Sequence, residues 1–107
     1  MKFKNLAVYN EDFKFVKGDI CVENSVFSDS SDGEVLDCEG LMMIPGLVDV
    51  HTHGAIGYEA KDGTLEALEA LSRFEGEHGT TAFLPTTATQ STEELMIAAK
   101  KVAEAKS

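Results

Sequence analysis

With 107 residues and 43% hydrophobic side chains, the chain has the composition of a folded globular protein, which excludes intrinsic disorder. Its 19 acidic against 9 basic side chains give a formal charge of −10, which argues against nucleic acid and anionic membrane as partners. No apolar run is long enough to span a bilayer, and Met1-Lys2-Phe3-Lys4-Asn5 lacks the apolar core of a signal peptide. The expected location is therefore cytoplasmic. There Cys21 and Cys38, which lack C-x-x-C spacing, remain free thiols, a disulfide being the minority alternative.

In chain order, Lys2 to Tyr9 reads as a strand, Asn10-Glu11-Asp12 as a polar turn, and Phe13 to Val16 as the strand resumed. Lys17-Gly18-Asp19 predicts a tight turn and Ile20 to Phe27 a further strand. Ser28 to Gly33 is a polar loop without a core residue. Glu34 to Cys38 is another short strand, and Glu39-Gly40 turns into Leu41-Met42-Met43-Ile44. Strands with polar punctuation predict a small antiparallel β-layer over residues 1–44. It carries no catalytic constellation and reads as a packing platform.

The pattern changes at Pro45-Gly46. The run Pro45-Gly46-Leu47-Val48-Asp49-Val50-His51-Thr52-His53-Gly54 is an apolar strand ending in two histidines and a glycine. Residues two apart on a strand point the same way, so His51 and His53 can hold one metal ion from a single strand end. Leu47 and Asp49 share their face, while Val48, Val50 and Thr52 point to the other. A barrel strand with a metal site at its C-terminal mouth has this arrangement. The competing reading is two solvent-exposed histidines in a loop after a buried strand. Asp49 either orients an imidazole or fixes the strand end, and the sequence favours neither.

Residues 54–63 form the loop after that strand. Thr64 is the expected N-cap of a helix from Leu65 to about Glu77, with an inward stripe of Leu65, Leu68, Leu71, Ser72 and Glu75 flanked by Phe74. His78-Gly79 ends it, with Gly79 at the C′ position. His78 falls at the end of the strand layer away from the histidine pair and is not a candidate ligand. Thr80 to Leu84 is the second strand of this half, stopped by Pro85. Thr86, Thr87, Thr89 and Gln90 follow, either as substrate contacts or as ordinary loop residues. Ser91 with Glu94 makes a capping box for a second helix, whose expected inward stripe is Leu95, Met96, Ala99, Val102, Ala103 and Lys106. Strand–helix alternation argues for parallel βα units.

The run PGLVDVHTHG resembles the first barrel strand of the amidohydrolase superfamily. The stretch from His78 to Thr87, within HGTTAFLPTTATQ, resembles the second-strand region of N-acetylglucosamine-6-phosphate deacetylases. The resemblance implies an α/β chain: a small β-sandwich-like segment over 1–44, then the first two βα units of a (β/α)8 TIM-type barrel over 45–107. A complete barrel needs about 250 residues, so the chain is expected to be an N-terminal fragment, inactive alone. By resemblance, His51 and His53 are metal ligands for one or two divalent ions, zinc or iron. The remaining ligands and the proton-shuttling aspartate are expected beyond Ser107, so no catalytic residue is assigned within the chain. The implied reaction is hydrolysis of N-acetylglucosamine 6-phosphate to glucosamine 6-phosphate and acetate by metal-activated water. The implied partners are a small amino-sugar phosphate and further copies of the chain in a homo-oligomer. Two alternatives stand beside this: a dihydroorotase-like or D-aminoacylase-like amidohydrolase, and a non-catalytic module acting only through assembly of its unpaired strand edges.

Overall fold

The computed structural model describes residues 1–106; Ser107, the last position of the expected barrel-opening segment, lies outside the described residues. The chain divides into two units, Met1–Pro45 and one beginning at Gly46.

The first unit contains β1 (Lys2–Tyr9), β2 (Phe15–Glu23), β3 (Val26–Ser28), β4 (Val35–Asp37) and β5 (Met42–Met43). They form one sheet in the order β3-β2-β1-β4, with β5 also pairing with β1. The expected sandwich-like, antiparallel layer is corrected to a single mixed sheet. β2 runs antiparallel to β1 and to β3, but β4 and β5 run parallel to β1, at Lys2–Lys4 and at Ala7–Val8. The polar stretch 29–34 carries the chain from β3 to the free edge of β1, and a strand that arrives by such a crossover runs parallel.

The expected turn at Lys17–Asp19 does not form. Gly18 lies inside β2, opposite Leu6. The reversal into β2 is the one expected at Asn10-Glu11-Asp12, where the Asn10 side-chain oxygen accepts from the backbone N–H groups of Asp12 and Lys14, both at 3.1 Å. Tyr9 packs there against Phe13 and Phe15, with ring centroids 6.4 and 5.1 Å away. The expected strand Ile20–Phe27 is split by a second reversal at Asn24 and Ser25, whose φ of 49° and 65° match a two-residue I′ hairpin.

A bulge in β1 is held by polar side chains. Asn5 has φ 62°; its backbone N–H donates to Asp19 at 3.2 Å and its carboxamide to Asp37 at 2.9 Å. Lys2 pairs with Asp19 at 3.0 Å. Leu6, Cys21 and Cys38 are buried beneath this layer. Both cysteines are free. Cys21 faces Lys2 on one side of β1, while the Cys38 N–H bonds the Lys4 carbonyl on the other. Two strand spacings, about 10 Å, separate them, beyond the reach of a disulfide.

The second unit contains β6 (Leu47–Thr52), β7 (Gly54–Ala55), β8 (Tyr58–Glu59), a short 3-10 turn (Ala60–Asp62), α1 (Leu65–Glu77), β9 (Thr80–Pro85) and α2 (Thr92–Ala105). β6 and β9 are parallel neighbours linked by α1, a βαβ unit. Thr64 caps α1 by accepting from the Ala67 N–H at 3.2 Å. His78 is the C-cap, and Gly79 at φ 87° supplies the left-handed residue that ends the helix. The buried face of α1 is Ala67, Leu68, Leu71 and Glu75; Leu65 and Ser72, expected on that face, are exposed.

Ser91 and Glu94 form the expected reciprocal capping box of α2. The inward face of α2 differs from the expected stripe. Ala98 is the buried residue, flanked by half-buried Leu95, Lys101 and Val102, whereas Met96, Ala99, Ala103 and Lys106 are exposed. The Ala98 backbone lies close to Gly63, where a Cβ on Gly63 would come within 3.5 Å of the Ala98 nitrogen. Among the described residues, no helix is long and apolar enough to cross a membrane.

Candidate metal centre

β6 delivers the two histidines to the end of the parallel pair. Three residue steps from Asp49 to Thr52 on β6 face two steps, Phe83 to Pro85, on β9. The extra residue makes a bulge, a device that re-aims side chains at the ends of strands. Asp49 holds it: its carboxylate accepts from the backbone N–H of His51 at 2.9 Å. Of the two roles open to Asp49, the structure therefore shows the one that fixes the strand end.

The His51 and His53 rings lie edge to face, with centroids 5.0 Å apart and an interplanar angle of 89°. They are on the same side of the chain, as alternation requires. The His53 ring donates from Nδ1 to the Thr86 carbonyl at 2.9 Å. A carbonyl can only accept, so in the neutral ring this contact places the hydrogen on Nδ1 and leaves Nε2 without one. Thr86 is tied to the same strand by its own N–H, which donates to the Thr52 carbonyl at 2.8 Å. The His53 carbonyl accepts from the Ala60 N–H, also at 2.8 Å.

The segment after His53 is more ordered than the expected loop. Gly54–Ala55 pairs with Tyr58–Glu59, and Ile56 (φ 49°) with Gly57 (φ 87°) makes the tight turn between them. A β-branched residue at positive φ is strained, and Ile56 is held there by the hairpin on either side. Glu59 and Asp62 cap the following 3-10 turn reciprocally, and Lys61 pairs with Glu59, which raises the Lys61 pKa above its ordinary value. A shallow hollow of about 270 Å³ is lined by His53, this hairpin and Glu59.

Catalytic zinc sites take three protein ligands and keep one position for water. Among the described residues, no group of three or more His, Cys, Asp or Glu side chains is placed to hold an ion. The imidazole pair offers two donors, fewer than such a set needs. It fits zinc or iron in kind, since imidazole is a good ligand for both. His78 is no part of it; its ring donates to the Phe74 carbonyl at 2.7 Å and stacks on Phe74 at 4.2 Å. Thr86 does reach the site, through its backbone carbonyl, while its hydroxyl donates to Leu84. The sequence gives no signal for a backbone acceptor, nor for the Ala60 N–H.

No family model matches the chain. Its similarities are to amidohydrolases, a class that here includes an adenine deaminase of Clostridium perfringens, 44% identical over 59 residues, 47% of this chain and 10% of the relative. Within that class the chain is similar to N-acetylglucosamine-6-phosphate deacetylases. That of Vibrio furnissii is 38% identical over 64 residues, 60% of this chain and 16% of the relative. The crystal structure of the Pasteurella multocida deacetylase superposes with a TM-score of 0.84 at 23% identity, over 97% of this chain and 30% of that one. At that identity the superposition shows a shared fold. The chain thus spans less than a third of the relatives it matches.

Proposed function

We propose that the chain is the opening part of a metal-dependent deacetylase that hydrolyses N-acetylglucosamine 6-phosphate to glucosamine 6-phosphate and acetate. The observation that carries this reading is the histidine pair at the end of β6, with the open Nε2 of His53, in a chain similar to deacetylases of that name. His51 and His53 would hold a divalent ion, zinc or iron, as two of its ligands. When bound, such an ion lowers the pKa of water and polarises a carbonyl, the two needs of amide hydrolysis. Asp49 shapes the strand end, and the Gly54–Glu59 hairpin forms one wall beside His53. The rest of a barrel would supply the other ligands, the proton-shuttling aspartate and the cationic groups for a phosphate. This chain, at −10, offers that phosphate no net attraction. A homo-oligomer in the cytoplasm is part of the same proposal.

A second reading is an amidohydrolase with another substrate. The similarity to adenine deaminase supports it, because substrate contacts in barrel enzymes come from many loops and two are present here. The test is a chimera in which the second unit replaces the matching segment of the Vibrio furnissii deacetylase. Acetate release that disappears with His51→Ala/His53→Ala is the expected result. The 107-residue chain alone is expected to release none. A well-folded chimera without acetate release, or one indifferent to the double substitution, sinks the deacetylase reading.

A further inference from the structure

We infer that the two histidines are not equivalent: His53 is a preset ligand, locked by the Thr86 backbone carbonyl with Nε2 facing outward, while His51 adapts. The inference rests on the metal-site reading of the pair. His53 is held at two points, and its ring's partner is itself fastened. Its ring donates from Nδ1 to Thr86, its own carbonyl accepts from Ala60, and Thr86 is fastened to Thr52 next to it. These contacts join β6, the end of β9 and the 3-10 turn around one side chain. The His51 ring has only the edge of His53 beside it, and among the described residues it makes no hydrogen bond. Asp49 accepts from the His51 backbone N–H and makes no hydrogen bond to its ring.

A hydrogen bond to one ring nitrogen selects the tautomer and orients the other toward a metal. His53 thus has its tautomer and rotamer set before any ion arrives, whereas His51 must be ordered on binding. Ordering a side chain costs about 0.5–1.5 kcal/mol, so the preset ligand contributes more to affinity by a factor of about two to twelve. Thr86 is then a positioning residue, acting through its main chain.

The experiment is two-dimensional ¹H–¹⁵N NMR of the imidazole nitrogens in the metal-free 107-residue chain at about pH 8, where imidazoles are ordinarily neutral. The expected result is a single Nδ1–H tautomer for His53 and a mixture for His51. Thr86→Ala keeps the carbonyl and is expected to keep the His53 pattern. Thr86→Pro removes the N–H that fastens the carbonyl and is expected to mix the tautomers. An Nε2–H or mixed tautomer for His53 in the wild type overturns the inference, as does loss of the pattern in Thr86→Ala. Zinc titration is the second readout. His53→Ala is expected to weaken zinc binding about twofold to twelvefold more than His51→Ala. Equal effects, or the reverse order, also overturn it. The tautomer is read without metal or substrate, so this result and the acetate-release result can fail separately.

Discussion

Gly54 shows how closely the site depends on single residues. A Cβ at Gly54 would overlap the Tyr58 carbonyl and the Glu59 backbone, because the hairpin folds directly back on it. Gly57, at the tip, has φ 87° but nothing near its missing Cβ. The two glycines are therefore required for different reasons, one steric and one conformational. Gly54→Ala is expected to cost about 2 kcal/mol by forcing the strands apart, and Gly57→Ala about 1 kcal/mol from backbone strain alone. Chemical denaturation of the two variants checks the order. Gly54→Ala should also disturb the His53 ring signals, since the displaced hairpin leads into Ala60, which bonds the His53 carbonyl. An equal cost for both would show that the close approach is not retained in solution. Asp49 illustrates the limit of reading residues one at a time. Alternation predicted its face, but its partner is the neighbouring backbone N–H, a consequence of the bulge.

At the scale of elements, the termini of helices were the most readable features. Thr64, Gly79, Ser91 and Glu94 act where the sequence placed them, because capping is decided within one turn of the chain. Thr64→Ala is expected to destabilise the protein by about 1 kcal/mol, and Thr64→Ser to restore most of that. Urea melts decide it; an unchanged midpoint in Thr64→Ala would show that α1 is held by packing alone. Helix faces were less readable. The stripe expected on α2 ran through Ala99 and Ala103, yet Ala98 lies innermost because it meets Gly63 and the 3-10 turn. Adjacent alanines carry the same hydrophobic weight, so sequence periodicity does not separate Ala98 from Ala99, and the close approach to Gly63 decides between them. Of the reversals in the first unit, the polar turn at Asn10–Asp12 forms where expected and the other does not. Lys17-Gly18-Asp19 looked like a turn, but Gly18 is paired within β2, and the actual turn at Asn24–Ser25 lacks the usual glycine.

For the molecule as a whole, charge gives a pH dependence whose sign can be worked out. A bond from Lys2 holds the Asp19 carboxyl below its ordinary range, Asn5 does so for Asp37, and Ser91 for Glu94. A carboxylate lowered on folding stabilises the protein above its unfolded pKa, and that contribution disappears as pH falls through the folded value. Lys2 and Lys61 are raised by Asp19 and Glu59, so their contributions are lost only as pH rises past the ordinary lysine range. Between these limits, protonation relieves the self-repulsion of a chain carrying −10. Thermal melts are therefore expected to hold or rise slightly from pH 7 toward about 5 and to fall below about 4. Asp37→Asn should flatten the acid limb, since it retains an acceptor for Asn5 without a charge to lose. A melting temperature that keeps rising to about pH 3 would show that self-repulsion outweighs the three carboxylates.

By itself the sequence determined what local chemistry determines. It set the caps of both helices, the parity of His51 and His53, the end of the strand at Pro45–Gly54 and the strand–helix–strand order after it. Each depends on residues within a few positions of one another, which fixed alternation and helical periods relate directly. Tertiary structure decided the rest: the parallel return of β4 and β5 to β1, the bulge that gave Asp49 its partner, the burial of Ala98 against Gly63, and the Thr86 carbonyl that accepts from one imidazole and not the other. Thr86 lies 33 positions from His53, and every residue type carries the same carbonyl. No pattern in side chains could have marked it, because the contact belongs to the path of the main chain.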